Sequence, residues 1–280
     1  MNDVKKTNYG NWVPAMLMRV MFGTDALLIL TAILLAVFAP LKWLAWIAGI
    51  AAAVVFAFAV YMGLCRYIFA RGGVGNHLPN RESYIRLDGY DGVMGRIHHF
   101  LVEHLDWDGQ GELLDIGCGS GALTIRCAKK YPEARLTGMD YWGWEWSYAK
   151  EQCEHNAAVE GVDDRITFTK GDAAQLDFED EQFAAAVSNF VFHEVKSQPD
   201  KPELIKEALR VVKRGGVFAF QDLFCQKKLY GDMDALIEEL KASGVQEIHF
   251  IPDVEKLGFI PGFVQTPWML SGIGLLYGRK

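Results

Sequence analysis

The sequence predicts an α/β protein with a doubly wound, mostly parallel sheet, preceded by a hairpin of two membrane-spanning helices. Two observations predict the sheet: beyond residue 112 short apolar runs alternate with amphipathic stretches, and one of these runs ends in a glycine-rich turn. A third observation predicts the hairpin, because two long and almost uncharged segments lie between residues 22 and 65. With 51% hydrophobic and 22% charged residues, the 280-residue chain is neither disordered nor collagen-like.

The two apolar segments are long enough to cross a membrane. Residues 43–65 contain no charge, and about 20 apolar residues span a hydrocarbon core about 30 Å thick. The first helix is expected at about 20–39, broken only by Asp25, which we expect about one turn from its start, within reach of the headgroups. Residues 1–70 are therefore predicted to form a membrane anchor. Two long segments that are apolar on all sides argue against a cleaved signal peptide, a buried helical pair and an interfacial amphipathic pair.

The charge distribution predicts where the two ends of the hairpin lie. Only Lys42 lies in the turn, whereas the flanks carry Lys5, Lys6, Arg19, Arg66, Arg71, Arg81 and Arg86. The positive-inside rule then places both termini and the rest of the chain on the cytoplasmic side. Residues 1–86 have a net charge of +5 and the remainder −12, so the acidic body argues against nucleic acid as a partner.

The remaining chain is predicted to be a linker at 71–84, rich in glycine, and one domain at 85–280. A helical pattern runs over 82–104. Strands are predicted at 112–116, 135–139, 165–170, 183–189, 216–222, 245–250 and 270–277, and helices at 121–130, 146–159, 202–212 and 232–242. Five cysteines, with no C-x-x-C pair and no Cys/His cluster at zinc spacing, favour reduced thiols and argue against a metal site.

The most informative stretch is residues 112–121, which read ELLDIGCGSG. Glycines after a strand let the backbone approach a ligand, and the next helix presents free N–H groups. The spacing D-x-G-x-G-x-G, with the acid at the strand end, differs from the G-x-G-x-x-G of nicotinamide and flavin proteins. It resembles the first motif of the class I S-adenosylmethionine-dependent methyltransferases.

Further stretches agree with this resemblance. Asp140 ends the second strand, 25 residues after Asp115, and Asp172 ends the third in KGDAAQL. SNFVFHEV at 188–195 is similar to the fourth motif of the small-molecule methyltransferases, and VVKRGGVFAF at 211–220 to the turn into the fifth strand. The resemblance covers roughly residues 85–280 and implies a Rossmann-like, seven-stranded sheet.

The resemblance also implies S-adenosylmethionine as the cofactor and a role for each matching position. The methionine and ribose part would be lined by Gly117, Cys118, Gly119 and Gly121, with Asp115 under the amino group. Asp140 would bind the ribose, and Asn189 of the fourth motif is a further cofactor-binding candidate. Tyr141 would pack on the adenine ring, and the adenine edge would meet Asp172 and Ala173. The alternatives are strand–helix packing for the glycines, helix N-capping for Asp115 and Asp172, and a small apolar filler for Cys118.

A methyl transfer needs a base only if the acceptor must lose a proton. His193 is the first candidate, because it follows Asn189 in the fourth-motif region and its pKa range suits proton transfer, and Asp222 is the second. Further candidates with surface or structural alternatives are Glu194, His98, His99, Tyr84 and Tyr90. The fourth motif lacks the Pro-Pro pair of many enzymes that methylate nucleobase or amide nitrogens.

The segment at 259–270, FIPGFVQTPWML, is too apolar for an ordinary exposed loop. It is either local core, or the wall of an apolar substrate pocket or a membrane-dipping loop. Together with the hairpin it predicts a lipophilic small-molecule acceptor, such as a quinone, isoprenoid or lipid, and contact with the bilayer. Two alternatives remain: a soluble small-molecule or metalloid acceptor, and a non-catalytic S-adenosylmethionine-binding scaffold. The sequence leaves the acceptor atom and the oligomeric state open.

Overall fold

The computed structural model describes residues 7–10, 13, 15–38, 40, 42–71, 93–143 and 150–280. Eight helices are present in these residues: α1 Ala15–Phe38, α2 Trp43–Arg71, α3 Val93–Glu103, α4 Ala122–Lys130, α5 Lys150–Glu160, α6 Lys201–Arg210, α7 Lys227–Tyr230 and α8 Met233–Ala242. The strands are β1 Glu112–Ile116, β2 Arg135–Asp140, β3 Ile166–Lys170, β4 Phe183–Asn189, β5 Val212–Asp222, β6 Glu247–Ile251 and β7 Gly274–Arg279.

The seven strands form one sheet in the order β3-β2-β1-β4-β5-β7-β6. Every neighbouring pair is parallel except those of β7, which runs antiparallel to both β5 and β6. The carboxyl ends of β1, β2, β4 and β5 therefore lie along the same edge. The strand order reverses between β1 and β4, and in such sheets the crevice at this point is where ligands bind.

Two apolar cores cover the two faces of the sheet. On one face, β1 and β2 pack with α3, α4 and α5 through residues such as Leu101, Leu113 and Ile125. On the other face, β4 and β5 pack with α6 and α8 through residues such as Phe183 and Phe218. The predicted doubly wound, mostly parallel sheet is thus confirmed.

All seven predicted strands are present, with differences at some ends. β5 begins at Val212 rather than 216, so the helix predicted at 202–212 ends earlier, at Arg210. The prediction was wrong because the strand was expected to begin at Gly216, whereas both Gly215 and Gly216 lie within it. The pairing with β4 is irregular there, between Phe183 and Ala185. β7 begins at Gly274 rather than 270, because the preceding residues belong to a loop.

Two helix predictions are only partly described. Of the helix predicted at 146–159, the structure describes Lys150–Glu160, and residues 146–149 lie outside the described residues. Of the helical pattern over 82–104, it describes Val93–Glu103. Most of the predicted linker, at 72–84, also lies outside them, and residue 71 is the last of α2.

The first two helices form an antiparallel hairpin, and each is long and apolar enough to cross a membrane. The ε-methyl of Met18 lies 3.5 Å from the Cβ position of Gly63, and the guanidinium of Arg66 donates to the carbonyl of Val13. Most side chains of both helices are exposed, including large ones such as Phe38 and Trp46. These helices are therefore not the buried core helices of the domain.

The expectation for Asp25 was wrong. Because α1 begins at Ala15, Asp25 lies ten residues into the helix, about 15 Å from its start at 1.5 Å per residue. Its side chain is buried, with 5% exposure, and among the described residues Oδ1 has no hydrogen-bond partner. The carboxyl therefore lies near the middle of α1.

Candidate functional site

The glycine-rich turn after β1 is the centre of the site. Its first two amides, of Gly117 and Cys118, donate to the carbonyl of Met139 in β2 at 2.7 and 3.0 Å. Gly117 has a φ of +74°, and a Cβ there would lie 2.1 Å from Cγ2 of Val191. Only glycine fits this position, because the turn after β4 packs directly against the turn after β1.

Asp140, at the end of β2, binds this turn through its side chain. Oδ2 accepts from the amide of Gly119 and Oδ1 from the amide of Trp142, both at 2.8 Å. Burial raises the pKa of Asp140, and the bonds from these amides oppose the rise. A carboxylate has about four acceptor sites, so each oxygen of Asp140 can accept a further hydroxyl.

Asp115 lies in the buried end of β1, and only one of its oxygens is paired. Oδ2 accepts from the hydroxyl of Thr124 at 2.5 Å, whereas Oδ1 is buried with no partner among the described residues. Burial raises the pKa of Asp115 to about 7, against the lowering effect of the Thr124 hydrogen bond. An unpaired buried carboxylate oxygen is a site for a donor, and a cationic donor suits it best.

Asp172 joins two loops at the same edge of the sheet. Its Oδ1 accepts from the amide of Ala174 at 2.9 Å and from the hydroxyl of Ser197 at 3.0 Å. It therefore stabilises a turn after β3 and connects that turn to the segment after β4. Ala173 is buried next to it.

Of the two described aromatic residues after β2, Trp142 rather than Tyr141 contacts the glycine-rich turn. The indole Nε1 of Trp142 donates to the carbonyl of Gly119 at 2.9 Å. Tyr141 is 62% exposed, with the ammonium of Lys170 5.4 Å from its ring centre. Its ring is thus open to a stacking partner, whereas the ring of Trp142 is fixed on the turn.

His193 and Asp222 form a buried ion pair beyond the ends of β4 and β5. Nδ1 of His193 lies 2.7 Å from Oδ1 of Asp222, and Nε2 lies 3.4 Å from a carboxylate oxygen of Glu194. Burial lowers the pKa of His193, but the charges and hydrogen bonds of the two carboxylates outweigh it and raise the pKa to about 10. The imidazole is therefore protonated at neutral pH.

Asp222 itself is fully buried and accepts from two amides as well as from His193. The amides of Phe192 and Leu223 donate to it at 2.8 and 2.6 Å. The carboxylate thus fixes the short 3₁₀ turn that carries His193. Asn189 is fixed nearby, because its Oδ1 accepts from Nε2 of Gln221 at 3.1 Å.

The other sequence candidates fit catalysis less well. His98 is buried, and desolvation, with the charge of Arg126, lowers its pKa to about 3, so it is neutral. His99 and Glu194 have largely exposed side chains. Burial raises the pKa of the Cys118 thiol far above its usual range, which fits an apolar filler. Tyr84 and Tyr90 lie outside the described residues.

The structure brings the predicted acids and glycines together at one edge, and adds residues that the sequence did not reveal. These are Val191 on Gly117, Trp142 on Gly119, Thr124 on Asp115, and Asn156, whose amide donates to the carbonyl of Ser120 at 2.9 Å. Only Trp142 had a local signal, because it lies in the aromatic-rich stretch YWGWEW at 141–146. Among the described residues no group of three or more His, Cys, Asp or Glu could hold a metal.

Comparison with known proteins finds a methyltransferase domain in this part of the chain. A family model described as a methyltransferase domain matches residues 113–216. Sterol 24-C-methyltransferase ERG6A of Gibberella zeae is 30% identical over 45% of this chain and 31% of its own length. Sterol 24-C-methyltransferase of Yarrowia lipolytica is 28% identical over 49% of this chain and 34% of its own. The chain thus spans about a third of the length of these curated relatives.

Among solved structures, the [4+2]-cyclase SpnF has the same fold. The two superpose with a TM-score of 0.50 at 22% identity, over 66% of this chain and 80% of SpnF. A cyclase on this fold is a reminder that the fold alone does not determine the reaction. Residues 113–216 are therefore a methyltransferase domain, and the strand order with its antiparallel seventh strand and the acid-flanked glycine turn are those of the class I S-adenosylmethionine-dependent methyltransferases.

Proposed function

We propose that this chain is a membrane-anchored methyltransferase that transfers the methyl group of S-adenosylmethionine to a lipophilic, membrane-associated small molecule such as a quinone, an isoprenoid or a lipid. One observation carries the lipophilic acceptor: the apolar segment at 259–270, near the reactive edge, packs onto helix α2 of the apolar hairpin. Under this proposal residues 1–70 are the anchor, 71–84 the linker and 85–280 the catalytic domain.

The residues at the edge of the sheet fit S-adenosylmethionine. Asp140 has acceptor capacity for two ribose hydroxyls, and the unpaired oxygen of Asp115 suits the ammonium of the methionine part. The exposed ring of Tyr141 can stack on the adenine, whose edge Asp172 and Ala173 would meet. The glycine-rich turn presents its backbone to the cofactor at Gly117, Cys118, Gly119 and Gly121. Asn189 lies at the end of the neighbouring strand, β4.

S-adenosylmethionine supplies an electrophilic methyl on a sulfonium, so the protein's main task is alignment, which can contribute about 7–11 kcal/mol. Protonated His193 has no free nitrogen lone pair and cannot take a proton in the arrangement described. We propose that His193 instead donates a hydrogen bond from Nε2 to an oxygen of the acceptor, which would replace the 3.4 Å contact of Nε2 with Glu194. Asp222 is then a positioning residue that keeps the imidazole charged and oriented.

The exposed apolar surface of the hairpin supports insertion into a bilayer. Its large side chains are not covered by the described part of the domain, and a hydrocarbon core covers such surface without cost. The distribution of basic residues favours both termini on the cytoplasmic side. Buried Asp25 points away from the lipid, which lowers the cost of a carboxyl near the membrane centre.

The segment at 259–270 lies beside this hairpin. The hydroxyl of Tyr61 donates to the carbonyl of Phe263 at 2.8 Å, and the ring of Trp268 meets that of Phe58 edge-on at 5.7 Å. Phe263 and Trp268 are nevertheless 43% and 58% exposed. Exposed aromatic rings beside a membrane helix favour a loop that reaches the bilayer interface.

The base of the same loop is rigid. Buried Glu255 accepts from the amides of Gly272 and Ile273 at 2.9 and 3.0 Å, which closes the loop where β7 begins. The loop therefore leaves and re-enters the sheet at the carboxyl edge, where β5 also ends. The two curated relatives are named for methylation of a sterol, which supports a lipophilic acceptor here.

The first test is calorimetric titration of the detergent-solubilised full chain with S-adenosylmethionine and S-adenosylhomocysteine. We expect micromolar binding, weakened at least 100-fold in Asp140→Ala, because both ribose bonds and the hold on Gly119 are lost. Asp177→Ala, at a carboxyl elsewhere on the domain, is the control. A folded wild-type protein that binds neither ligand would overturn the proposal. Binding without methyl transfer to any lipid or aqueous extract would favour a non-catalytic scaffold.

The pKa of Asp115, about 7, predicts a pH-dependent affinity. A bound ammonium favours the ionised carboxylate, so affinity for S-adenosylhomocysteine should rise about tenfold from pH 6 to pH 8, as the ionised fraction of Asp115 rises. Asp115→Asn should remove this part of the pH dependence and retain only that of the ligand's own amino group. Parallel pH curves for the two proteins would exclude a direct contact between Asp115 and the ammonium.

His193 is tested by the rate of methyl transfer. We expect His193→Gln to lower kcat about 10- to 100-fold, with the Kd of S-adenosylmethionine unchanged. Because the wild-type imidazole is protonated below about pH 10, the wild-type rate should show no ionisation of this residue between pH 6 and 8. A wild-type rate that rises through pH 6.5, and is flat in His193→Gln, would instead identify His193 as a base.

The acceptor is tested with radiolabelled S-adenosylmethionine and separate lipid and aqueous extracts of the source cells. We expect the wild type to transfer label to the lipid fraction. The double variant Trp268→Ser and Phe263→Ser should transfer about tenfold less, whereas its Kd for S-adenosylmethionine should be unchanged. Leu257→Ser is the matched control, because it removes an exposed apolar side chain just before the segment. Label only in the aqueous fraction, indifferent to these substitutions, would support a soluble acceptor.

A further inference from the structure

Residues 8–10, which precede the hairpin, form a strap that lies against the glycine-rich turn. The fully buried side chain of Asn156 in α5 pairs with the backbone of Asn8 at two points. Its Oδ1 accepts from the amide of Asn8 at 2.7 Å, and its Nδ2 donates to the carbonyl of Asn8 at 2.8 Å. This two-point contact imitates the pairing of adjacent β-strands.

The same Asn156 also holds the turn. Nδ2 donates to the carbonyl of Ser120 at 2.9 Å, and the hydroxyl of Ser120 donates to the carbonyl of Tyr9 at 3.0 Å. Ser120 lies between Gly119 and Gly121. The strap thus binds the side chain of Ser120 directly. It is connected to the carbonyl of Ser120 through Asn156.

Two further side chains hold the strap on α5. The amide of Gln152 donates to the carbonyl of Asn8, and the phenol of Tyr9 donates to Glu160 at 3.2 Å. The contacts are made largely to the backbone of the strap. They therefore depend on its path rather than on its side chains.

The strap is also attached to the hairpin. Val13 is buried in the core of the domain, and its carbonyl accepts from Arg66 of α2. Val13 is four positions after Tyr9 in the chain, and four residue steps can span at most about 14 Å. The glycine-rich turn is therefore tethered close to the ends of α1 and α2 where Val13 and Arg66 meet.

We propose that the strap orders the glycine-rich turn for S-adenosylmethionine, and that Asn156 is the positioning residue through which it acts. This inference rests on the proposed function and extends it to the segment before the anchor. When the strap leaves, Asn156 loses two of its three hydrogen bonds in a buried site, which is costly, and the Ser120 hydroxyl loses its acceptor. The turn then has fewer constraints, and cofactor binding has to supply the ordering.

The experiment is to break the strap at its backbone. Asn8→Pro removes the amide that donates to Asn156, whereas Asn8→Ala retains both backbone groups and is the matched control. We expect Asn8→Pro to raise the Kd of S-adenosylhomocysteine about tenfold, and Asn8→Ala to change it less than threefold. The KM of the acceptor should not change. The unfolding midpoint should fall by a few degrees, because buried hydrogen bonds are lost, but the rise in Kd should persist at temperatures well below that midpoint.

Asn156→Asp gives a second, independent variant. Its carboxylate can accept from the amide of Asn8 but cannot donate to the carbonyls of Asn8 and Ser120, so the same rise in Kd is expected. Both substitutions break the same connection, that between the strap and Asn156. Their effects on the Kd should therefore not add in the double variant. Additive effects would show that the residues act separately and would overturn the inference.

The outcomes separate this inference from the proposed function. If the wild type binds S-adenosylhomocysteine and Asn8→Pro binds it equally well, the strap has no role in ordering the turn, although the chain still binds the cofactor. If Asn8→Pro only lowers the unfolding midpoint, the role is structural and the inference fails. If the wild type does not bind at all, the proposed function fails first.

Discussion

The conformation of the glycine-rich turn at 117–121 is the constraint on which the rest of the site depends. The carbonyl of Met139 in β2 accepts hydrogen bonds from the amides of Gly117 and Cys118. The carboxylate of Asp140 accepts one from the amide of Gly119, and the side chains of Trp142 and Cys153 donate to the carbonyl of Gly119. Each bond contributes only about 0.5–1.5 kcal/mol, but together they select one backbone path. That path starts α4 and leaves room at Gly117 for the turn after β4.

Asp222 at the end of β5 and Asp115 near the end of β1 are both buried, but they differ in the number of hydrogen-bond donors around the carboxylate. Asp222 is paired with His193 and two amides, so its negative charge is compensated and the imidazole stays charged. Among the described residues only Thr124 donates to Asp115, so desolvation dominates and the pKa of Asp115 rises to about 7. The first acid therefore stabilises the protein's own turn, whereas the second has an open place for a cation.

The sequence predicts secondary structure and short motifs, but it does not predict contacts between residues far apart in the chain. Apolar runs and glycine turns placed all seven strands, and the resemblance indicated Asp115, Asp140 and Asp172. The end of α6 was missed because two glycines inside β5 look like a break. Residue 8 could not be connected with Asn156, because 148 residues separate them and the bonds go to the backbone of Asn8, which has no residue signature.

Two of the contacts between residues 1–70 and the domain lie near the edge of the sheet where the parallel strands end. In one of them the strap at 8–10 binds Asn156 of α5 and Ser120 of the glycine-rich turn, and in the other Tyr61 of α2 binds the loop between β6 and β7. Removing residues 1–70 would therefore remove the strap as well as the proposed membrane anchor. Loss of activity in such a truncated protein would not distinguish an acceptor in the bilayer from a disordered glycine-rich turn. Point substitutions in the full chain keep the two effects apart, because Asn8 and Trp268 lie at different contacts.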